Sequence, residues 1–401
     1  KGEVAKLPHW YVLMRGCLRM HVRKIPPKSS PGYPWKIWWK TNAALLDEAL
    51  PELLDEAAAL LVLLISLHAG VLVEDVRPAL RSEALSLAET FLRQLVQVFV
   101  KQEPHPADKV AAKRWRLICS VVVTVQLVER VMFGEQNAHE IALWPRIPAK
   151  AGMGLDDAKL QLLFDSIQRL RQRPLADPDI RGFDWSVKMW MQEADMYMRG
   201  MAYGFSSDSF VTGLFVLWVR ILCQPRFVFS DGLSSQLLAR ALQLSGRYNT
   251  SSSNCWMRLL AVFLVKLLSL GEDASESQLD EADLWAIAMG DDCIEEWVFD
   301  GAKWYDHLGL PLKREYRAVP DDEPLEFCSQ VFATAQAYPA NPGKLYARFL
   351  SHSAIDVNLL SQFVRDMRHH PRLGVYLAHL RRMHADGDVC LLPDAAIALV
   401  A

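Results

Sequence analysis

Two adjacent aspartates stand in the run Ala288-Met289-Gly290-Asp291-Asp292-Cys293. Apolar residues on both sides predict two short strands, Leu284–Met289 and Cys293–Val298, paired as a hairpin with the acids in its turn. Two carboxylates in a tight turn repel one another unless a cation lies between them. Magnesium suits such a place: it takes hard oxygen ligands and recruits one or two carboxylates together with substrate phosphates. The plainer alternative is an ordinary turn, since Gly and Asp favour turns.

A third acid, Asp184, lies in Gly182-Phe183-Asp184-Trp185-Ser186-Val187. The apolar approach through Ile180 and Phe183 predicts a strand over Ile180–Asp184, with Asp184 at its C-terminal end and a helical pattern directly after it. The alternative role is a helix N-cap. Two strands ending side by side would gather Asp184, Asp291 and Asp292 around two divalent ions, Mg²⁺ or Mn²⁺. That arrangement serves in-line phosphoryl transfer, one ion activating the attacking hydroxyl and the other holding a triphosphate and the leaving pyrophosphate. Between these acids stands Ser245-Gly246-Arg247-Tyr248-Asn249-Thr250-Ser251-Ser252-Ser253-Asn254. Gly246 permits a backbone that other residues resist. Small hydroxyls before a helix suit sugar, phosphate or template-backbone contacts, or simply a serine-rich turn with a cap.

The elements that must position these residues read as mostly helical. Apolar residues at i, i+3, i+4 spacing predict helices over 45–72, 84–98, 121–131, 155–173, 187–201, 235–244, 254–268 and 345–367. Leu325–Phe332 is a further strand candidate. Pro/Ser/Gly clusters at 26–34, 145–154 and 337–343 read as linkers. The apolar segment Ala57–Val73 approaches the lower limit for a membrane span, but acids flank both its ends and a buried core helix is expected.

The 401 residues balance 44 Lys+Arg against 47 Asp+Glu, with 51% hydrophobic residues. This excludes a disordered chain and a uniformly basic nucleic-acid coat protein. Seven cysteines without a CxxC pair fit a reducing compartment better than a disulfide framework. The chain opens on Lys1 rather than Met, as expected of a fragment of a larger precursor, and shows no signal peptide. Charge is segregated. Residues 11–40 carry seven Lys/Arg and no acid, and residues 271–300 carry eleven acids and no Lys/Arg. Basic stretches recur at Lys101–Arg116 and Arg365–His384. An acidic centre with basic surroundings fits divalent metal inside and polyanion around it.

The order Asp184, then Ser245-Gly246-x3-Thr250-x3-Asn254, then Gly290-Asp291-Asp292 resembles motifs A, B and C of positive-strand RNA virus RNA-dependent RNA polymerases. In detail it looks like the sobemovirus, polerovirus and barnavirus-like group. Ser29-Ser30-Pro31-Gly32-Tyr33-Pro34 is similar to that group's motif G, a template-access loop. Phe99-Val100-Lys101-Gln102-Glu103-Pro104-His105, continuing to Lys113-Arg114-Trp115-Arg116-Leu117-Ile118, is similar to motif F. Leu325-Glu326-Phe327-Cys328-Ser329 is similar to motif E, the primer grip.

The resemblance implies an α+β, helix-rich right-hand fold: fingers, an RNA-recognition-like palm with an antiparallel sheet, and a helical thumb. Its expected partition is fingers over 1–175, palm over 176–204, a fingers insertion over 205–243, palm over 244–336 and thumb over 337–401. Asp184, Asp291 and Asp292 would bind the two metal ions. Lys113, Arg114, Arg116, Ser245, Thr250 and Asn254 would contact the nucleotide. Ser30, Gly32, Lys101, Gly246, Phe327, Cys328 and Ser329 would contact template or primer. Lys313 is the choice for motif D's general acid, with Arg314 and Lys303 competing. One departure concerns Met189, where the family usually carries a second motif A aspartate that helps read the ribose 2′-hydroxyl. Template and product RNA and nucleoside triphosphates are the implied partners. A protein primer and other viral replication proteins are suggested as well, with membrane contact only through a replication complex in the host cytoplasm. The alternatives are a reverse transcriptase or DNA polymerase, to which Met189 lends weight, and an inactive polymerase-like RNA-binding protein.

Overall fold

Pro51 decides how the long apolar segment folds. Its ring fixes φ and removes an N–H, which is tolerated only in the first turn of a helix. The helix expected over 45–72 is therefore two: α1 (His9–Val22) is followed by α2 (Asn42–Glu48) and α3 (Leu50–Ala69), with Pro51 in the opening turn of α3 and Gly70 (φ +68°) closing it. The computed structural model describes residues 9–70, 88, 95–105, 107–236, 241–271 and 274–400. Residues 71–73 of the apolar segment, and most of the helix expected over 84–98, lie outside them. Among the described residues no helix is long and apolar enough to cross a membrane.

Instead α3 is buried along nearly its whole length, packed against α1, α5 (Val123–Leu143) and α9 (Phe210–Leu222). Two of its three acids, Asp55 and Glu56, are buried with partners. Tyr11 donates to Asp55 at 3.1 Å, and the Arg15 guanidinium lies 2.9 Å from it. Thr124 donates to Glu56 at 3.3 Å, and burial pushes the Glu56 carboxyl up to about 8.

On this helical mass lies a mixed four-stranded sheet, ordered β2-β1-β4-β5. It comprises β1 (Leu95–Val100), β2 (Leu117–Ser120), β4 (Arg226–Val228) and β5 (Ser234–Gln236), with the short α4 (Ala107–Ala111) between the first two. Thus 95–98 is strand, not helix: the Val-Gln-Val-Phe-Val alternation favours a pleated, half-buried surface. Similarly, the helix expected over 235–244 is replaced at its start by β5; 237–240 lie outside the described residues and 241–244 have no regular structure.

The central layer is the antiparallel sheet β3-β7-β6, formed by β3 (Leu175–Ala176), β6 (Ala286–Met289) and β7 (Asp292–Glu296). The expected hairpin is present, with Met289 opposite Asp292. Helices α6 (Asp157–Leu170), α8 (Met189–Ala202), α10 (Thr250–Ser269), α11 (Glu276–Asp280) and α12 (Gly301–His307) complete this region. The strand expected over Ile180–Asp184 is not formed. It reduces to a single bridge from Ile180 to Leu312, and Phe183–Ser186 is a one-turn helix, α7. Pro178 lacks a donor and Gly182 turns left-handed (φ +58°), so too little chain remains between them for a ladder.

The strand expected over Leu325–Phe332 is a hairpin, β8 (Leu325–Phe327) and β9 (Gln330–Phe332), joined by β10 (Tyr338–Pro339) in a third sheet. The C-terminal helices have their own core of Tyr346, Phe349, Leu360, Phe363, Leu380 and neighbours. They are α13 (Pro342–Leu350), α14 (Val357–Met367), α15 (Leu373–Ala385) and α16 (Pro393–Val400). The single helix expected over 345–367 breaks where Asp356 caps α14, its carboxylate accepting the Leu359 N–H at 2.7 Å.

Candidate active site

Asp184 sits in the first turn of α7 rather than at a strand end. Its backbone carbonyl accepts the Gln243 N–H at 2.9 Å, which ties the segment to the approach of the serine-rich loop. Its carboxylate accepts from Asn254 Nδ2 at 3.1 Å. Burial raises the Asp184 pKa, the Asn254 hydrogen bond opposes that, and the Asp291 charge raises it further.

Asp291 and Asp292 lie at the β6–β7 turn, where Gly290 adopts φ +64°. Asp292 is pushed up to about 6, first by loss of water and then by the charges of Asp291, Asp179 and Glu326, with Lys313 opposing. The three acids therefore feel one another through Asp291. Among the described residues, however, no three His, Cys, Asp or Glu side chains are close enough together to hold one metal ion. The Asp184 carboxylate is turned toward Asn254. The donor set still fits a hard divalent cation. It consists of carboxylate oxygens alone, and among the described residues neither Asp291 nor Asp292 forms an ion pair with a basic side chain. The nearby cation Lys313 is engaged with Asp179, at 2.7 Å to both oxygens.

The serine-rich loop is braced on β2. The Ser245 hydroxyl accepts the Cys119 N–H at 3.1 Å. A Cβ at Gly246 would lie 2.3 Å from the Cys119 carbonyl oxygen, so only glycine fits there. Thr250 turns inward, its hydroxyl facing the carbonyls of Leu244 (2.8 Å) and Arg247 (3.0 Å).

Beneath the loop lies a buried network that the sequence did not announce. Glu129 of α5 accepts from Arg247 Nε (2.7 Å), Trp218 Nε1 (3.2 Å) and the Tyr248 backbone N–H (2.9 Å). The Arg130 guanidinium lies over the Tyr248 ring at 4.2 Å. One turn into α10, Ser253 donates to Asp195 at 2.6 Å, and Arg199 donates to Ser252 at 2.7 Å. The only local signal was an arginine inside a loop of small residues.

The basic segment is close enough to matter here, since the Arg116 charge lowers the Asp184 pKa. Arg116 and Lys101 both reach Glu103, each at 3.2 Å, and Lys344 of α13 comes to 3.7 Å of the same carboxylate. Arg114 is exposed, and Lys113 is exposed on a left-handed backbone (φ +53°).

Of the residues expected to meet template or primer, Gly32 takes φ +76°, and a Cβ there would lie 2.8 Å from Val122 Cα. Ser30 accepts the Gly32 N–H at 3.3 Å, and Pro31 accepts from the Val123 N–H at 2.8 Å. This loop is thereby stitched to the start of α5. Phe327 is buried, while Cys328 and Ser329 form the two-residue turn of the β8–β9 hairpin with φ +52° and +57°. Burial and the charges of Asp292 and Asp291 push the Cys328 thiol up, placing this turn beside the acids.

Comparison with known proteins shows the family. Residues 51–340 match the family described as viral RNA-directed RNA-polymerase. The chain is 32% identical over 347 residues to the RNA-directed RNA polymerase of Mushroom bacilliform virus, covering 86% of this chain and 79% of that protein. It is 34% identical over 371 residues to replicase polyprotein P2AB of Southern bean mosaic virus, covering 90% of this chain and 35% of the polyprotein. It is also 33% identical over 283 residues to protein P1-P2 of Potato leafroll virus, covering 67% of this chain and 24% of that protein. The chain thus spans most of the first relative and about a third or less of the two longer viral proteins. With the family matched across the acids, the braced loop and the basic segment, the chain belongs to the viral RNA-directed RNA polymerases.

Proposed function

We propose that the chain copies an RNA template by nucleotidyl transfer, joining nucleoside triphosphates into RNA and releasing pyrophosphate. The observation that carries this is the set of acids Asp184, Asp291 and Asp292, in which Asp291 repels the other two, with Asp184 held by Asn254 on the helix of the serine-rich loop and bordered by Arg116. Asp184, Asp291 and Asp292 would hold two Mg²⁺ or Mn²⁺ ions. When bound, the ions acidify the attacking 3′-hydroxyl and neutralise charge on the triphosphate.

The protein's own groups do the rest. Lys113, Arg114 and Arg116 take the triphosphate; Arg116 leaves Glu103 to do so. Ser245 and Asn254 read the ribose. Asn254 donates its amide N–H to Asp184, while its Oδ1 is buried without a partner and so offers an acceptor to a hydroxyl. That acceptor favours a ribonucleotide substrate over a deoxynucleotide one. Lys313 protonates the leaving pyrophosphate after release from Asp179. Ser30, Gly32, Lys101 and Gly246 border the template, and Phe327, Cys328 and Ser329 position the primer end. In this reading residues 1–175 with 205–243 are fingers, 176–204 with 244–336 palm, and 337–401 thumb. The enzyme works with other viral replication proteins and a protein primer, at a membrane-associated replication complex in the host cytoplasm.

Primer extension and primer-free synthesis on a defined RNA template, with ribo- and deoxynucleotides compared, test this reading. The expected result is Mg²⁺-dependent ribonucleotide incorporation. Incorporation that needs a DNA template, or none at all with Asp184, Asp291 and Asp292 intact, would overturn it.

A further inference from the structure

Two consecutive side chains of α10 point to opposite halves of the acidic centre. Asn254 donates to the Asp184 carboxylate at 3.1 Å. Cys255 accepts, on its sulfur, the backbone N–H of Gly290 at 3.2 Å. Gly290 is the left-handed residue of the β6–β7 turn, immediately before Asp291 and Asp292. One helix turn therefore grips the element that carries Asp184 and the element that carries the acid pair.

Cys255 is fully buried among Ala149, Leu259, Ala286, Ala288 and Cys293. Burial raises its pKa to about 11, so it stays a neutral thiol whose sulfur lone pairs remain acceptors. These small neighbours let the strand approach the helix closely. A packing role alone would call for any small side chain; the Gly290 contact calls for an acceptor at this one position. The backbone N–H of this half-buried turn glycine has no strand partner and would lose a hydrogen bond without it.

We propose that Cys255 is a positioning residue of the catalytic centre: its sulfur holds the Gly290 N–H and so fixes the Asp291–Asp292 turn at a set spacing from Asp184. This rests on the reading of those acids as the metal site. The role is to pre-shape two sets of ligands before the ions arrive, so its loss should appear in ion binding before any chemistry. Uncorrected spacing would leave the turn free to relax away from Asp184 under charge repulsion.

The test is direct Mn²⁺ binding by the purified full chain without nucleotide, followed by electron paramagnetic resonance of free Mn²⁺. Cys255→Ala removes the acceptor, whereas Cys255→Ser keeps one on a side chain of similar size. Cys255→Ala should bind Mn²⁺ about fivefold more weakly, as expected for one lost hydrogen bond. Cys255→Ser should stay within about twofold of the native protein. Thermal unfolding in EDTA reports packing separately. If Cys255→Ala fails to fold, the near-isosteric pair Cys255→Thr and Cys255→Val asks the same question, with weaker binding expected for Val. Equal Mn²⁺ binding by the acceptor-bearing and acceptor-free variants overturns the proposal. Asp291→Asn is the control: if it binds Mn²⁺ like the native chain, the metal-site reading fails, independently of Cys255.

Discussion

The Arg116 guanidinium is held by Glu103, Nη1 to Oε1 at 3.2 Å, and Lys101 reaches the other oxygen of the same carboxylate at the same distance. Glu103 itself is mostly covered, and its pKa is lowered by these cations against its burial. On the proposed reading the pair is a resting contact that a triphosphate would replace, since phosphate and carboxylate compete for the same fork of donors. Arg116→Ala should raise the apparent KM for nucleotides by about tenfold, and Lys113→Ala by less. Steady-state kinetics on a primed template check this; unchanged constants in both variants would make the segment a solvated face.

Asp184→Asn or Asp291→Asn should abolish nucleotide addition, by at least about a hundredfold, while RNA affinity and thermal stability stay close to native. Removing a carboxylate charge from a site crowded with acids relieves repulsion, so no loss of fold is expected. Incorporation by the double variant at more than about a few percent of native activity would overturn the metal assignment.

Asp292 gives the site a pH dependence. Its pKa is raised to about 6, so the folded site favours the protonated acid where the unfolded chain is already ionised. That contribution to stability is full below the ordinary aspartate pKa and is lost as pH rises through about 6. Cation binding runs the other way, because the ion needs the ionised form. In EDTA, the thermal midpoint should therefore fall between about pH 4 and pH 7, and added Mg²⁺ should recover it most at the upper end. Activity should decline as pH falls through about 6. A midpoint insensitive to Mg²⁺ at neutral pH would contradict this.

The Glu129–Arg247 pair is fully buried, so breaking it leaves an uncompensated charge. Glu129→Gln should lower stability by about 3 kcal/mol and Arg247→Met by a comparable amount. Both should also impair ribonucleotide selection, because Arg247 and Tyr248, which follow Ser245 and Gly246 in the loop, lose their anchor on Glu129. Chemical denaturation of each variant measures the first effect. A loss below about 0.5 kcal/mol would mean that the neighbouring glutamines, Gln192 and Gln243, carry the loop instead.

Met189 opens α8, half-buried, with no acid in the helix's first turn. An aspartate there would be welcomed by the helix N-terminus. Met189→Asp should sharpen ribose over deoxyribose discrimination about ten- to a hundredfold, the worth of one hydrogen bond to a charged acceptor. Matched kcat/KM values for ribo- and deoxynucleotides in both proteins decide it. An unchanged ratio would remove Met189 from the selectivity argument.

The Gly290-Asp291-Asp292 hairpin was legible because two apolar runs flank a turn that only a few residue types tolerate. The α10 helix was legible from its 3.6-residue periodicity. Asp184 was misplaced onto a strand because the short apolar approach of Ile180 and Phe183 read as extended chain, while Pro178 and Gly182 leave no length for pairing. Strand β1 was hidden by an apolar helical pattern that continued into it from residues upstream. Cys255 read as one more core residue of α10, since nothing local says that its sulfur faces a turn backbone 35 residues away. Glu129 carried no signal and Arg247 only that of an arginine inside a loop of small residues: ion pairs between distant segments leave no periodic trace, and the three-dimensional structure brings them together.

The bare hydrogen of Gly246 against the Cys119 carbonyl welds two backbones where other proteins would interpose side chains. The strand β2, which Arg116 directly precedes, and the loop that carries Ser245 cannot slide past each other. On the proposed roles, triphosphate capture and sugar reading would share one rigid ruler, and neither grip could be retuned by shifting its backbone alone. On those same roles, a change of nucleotide preference would have to come from exchanging side chains at fixed coordinates.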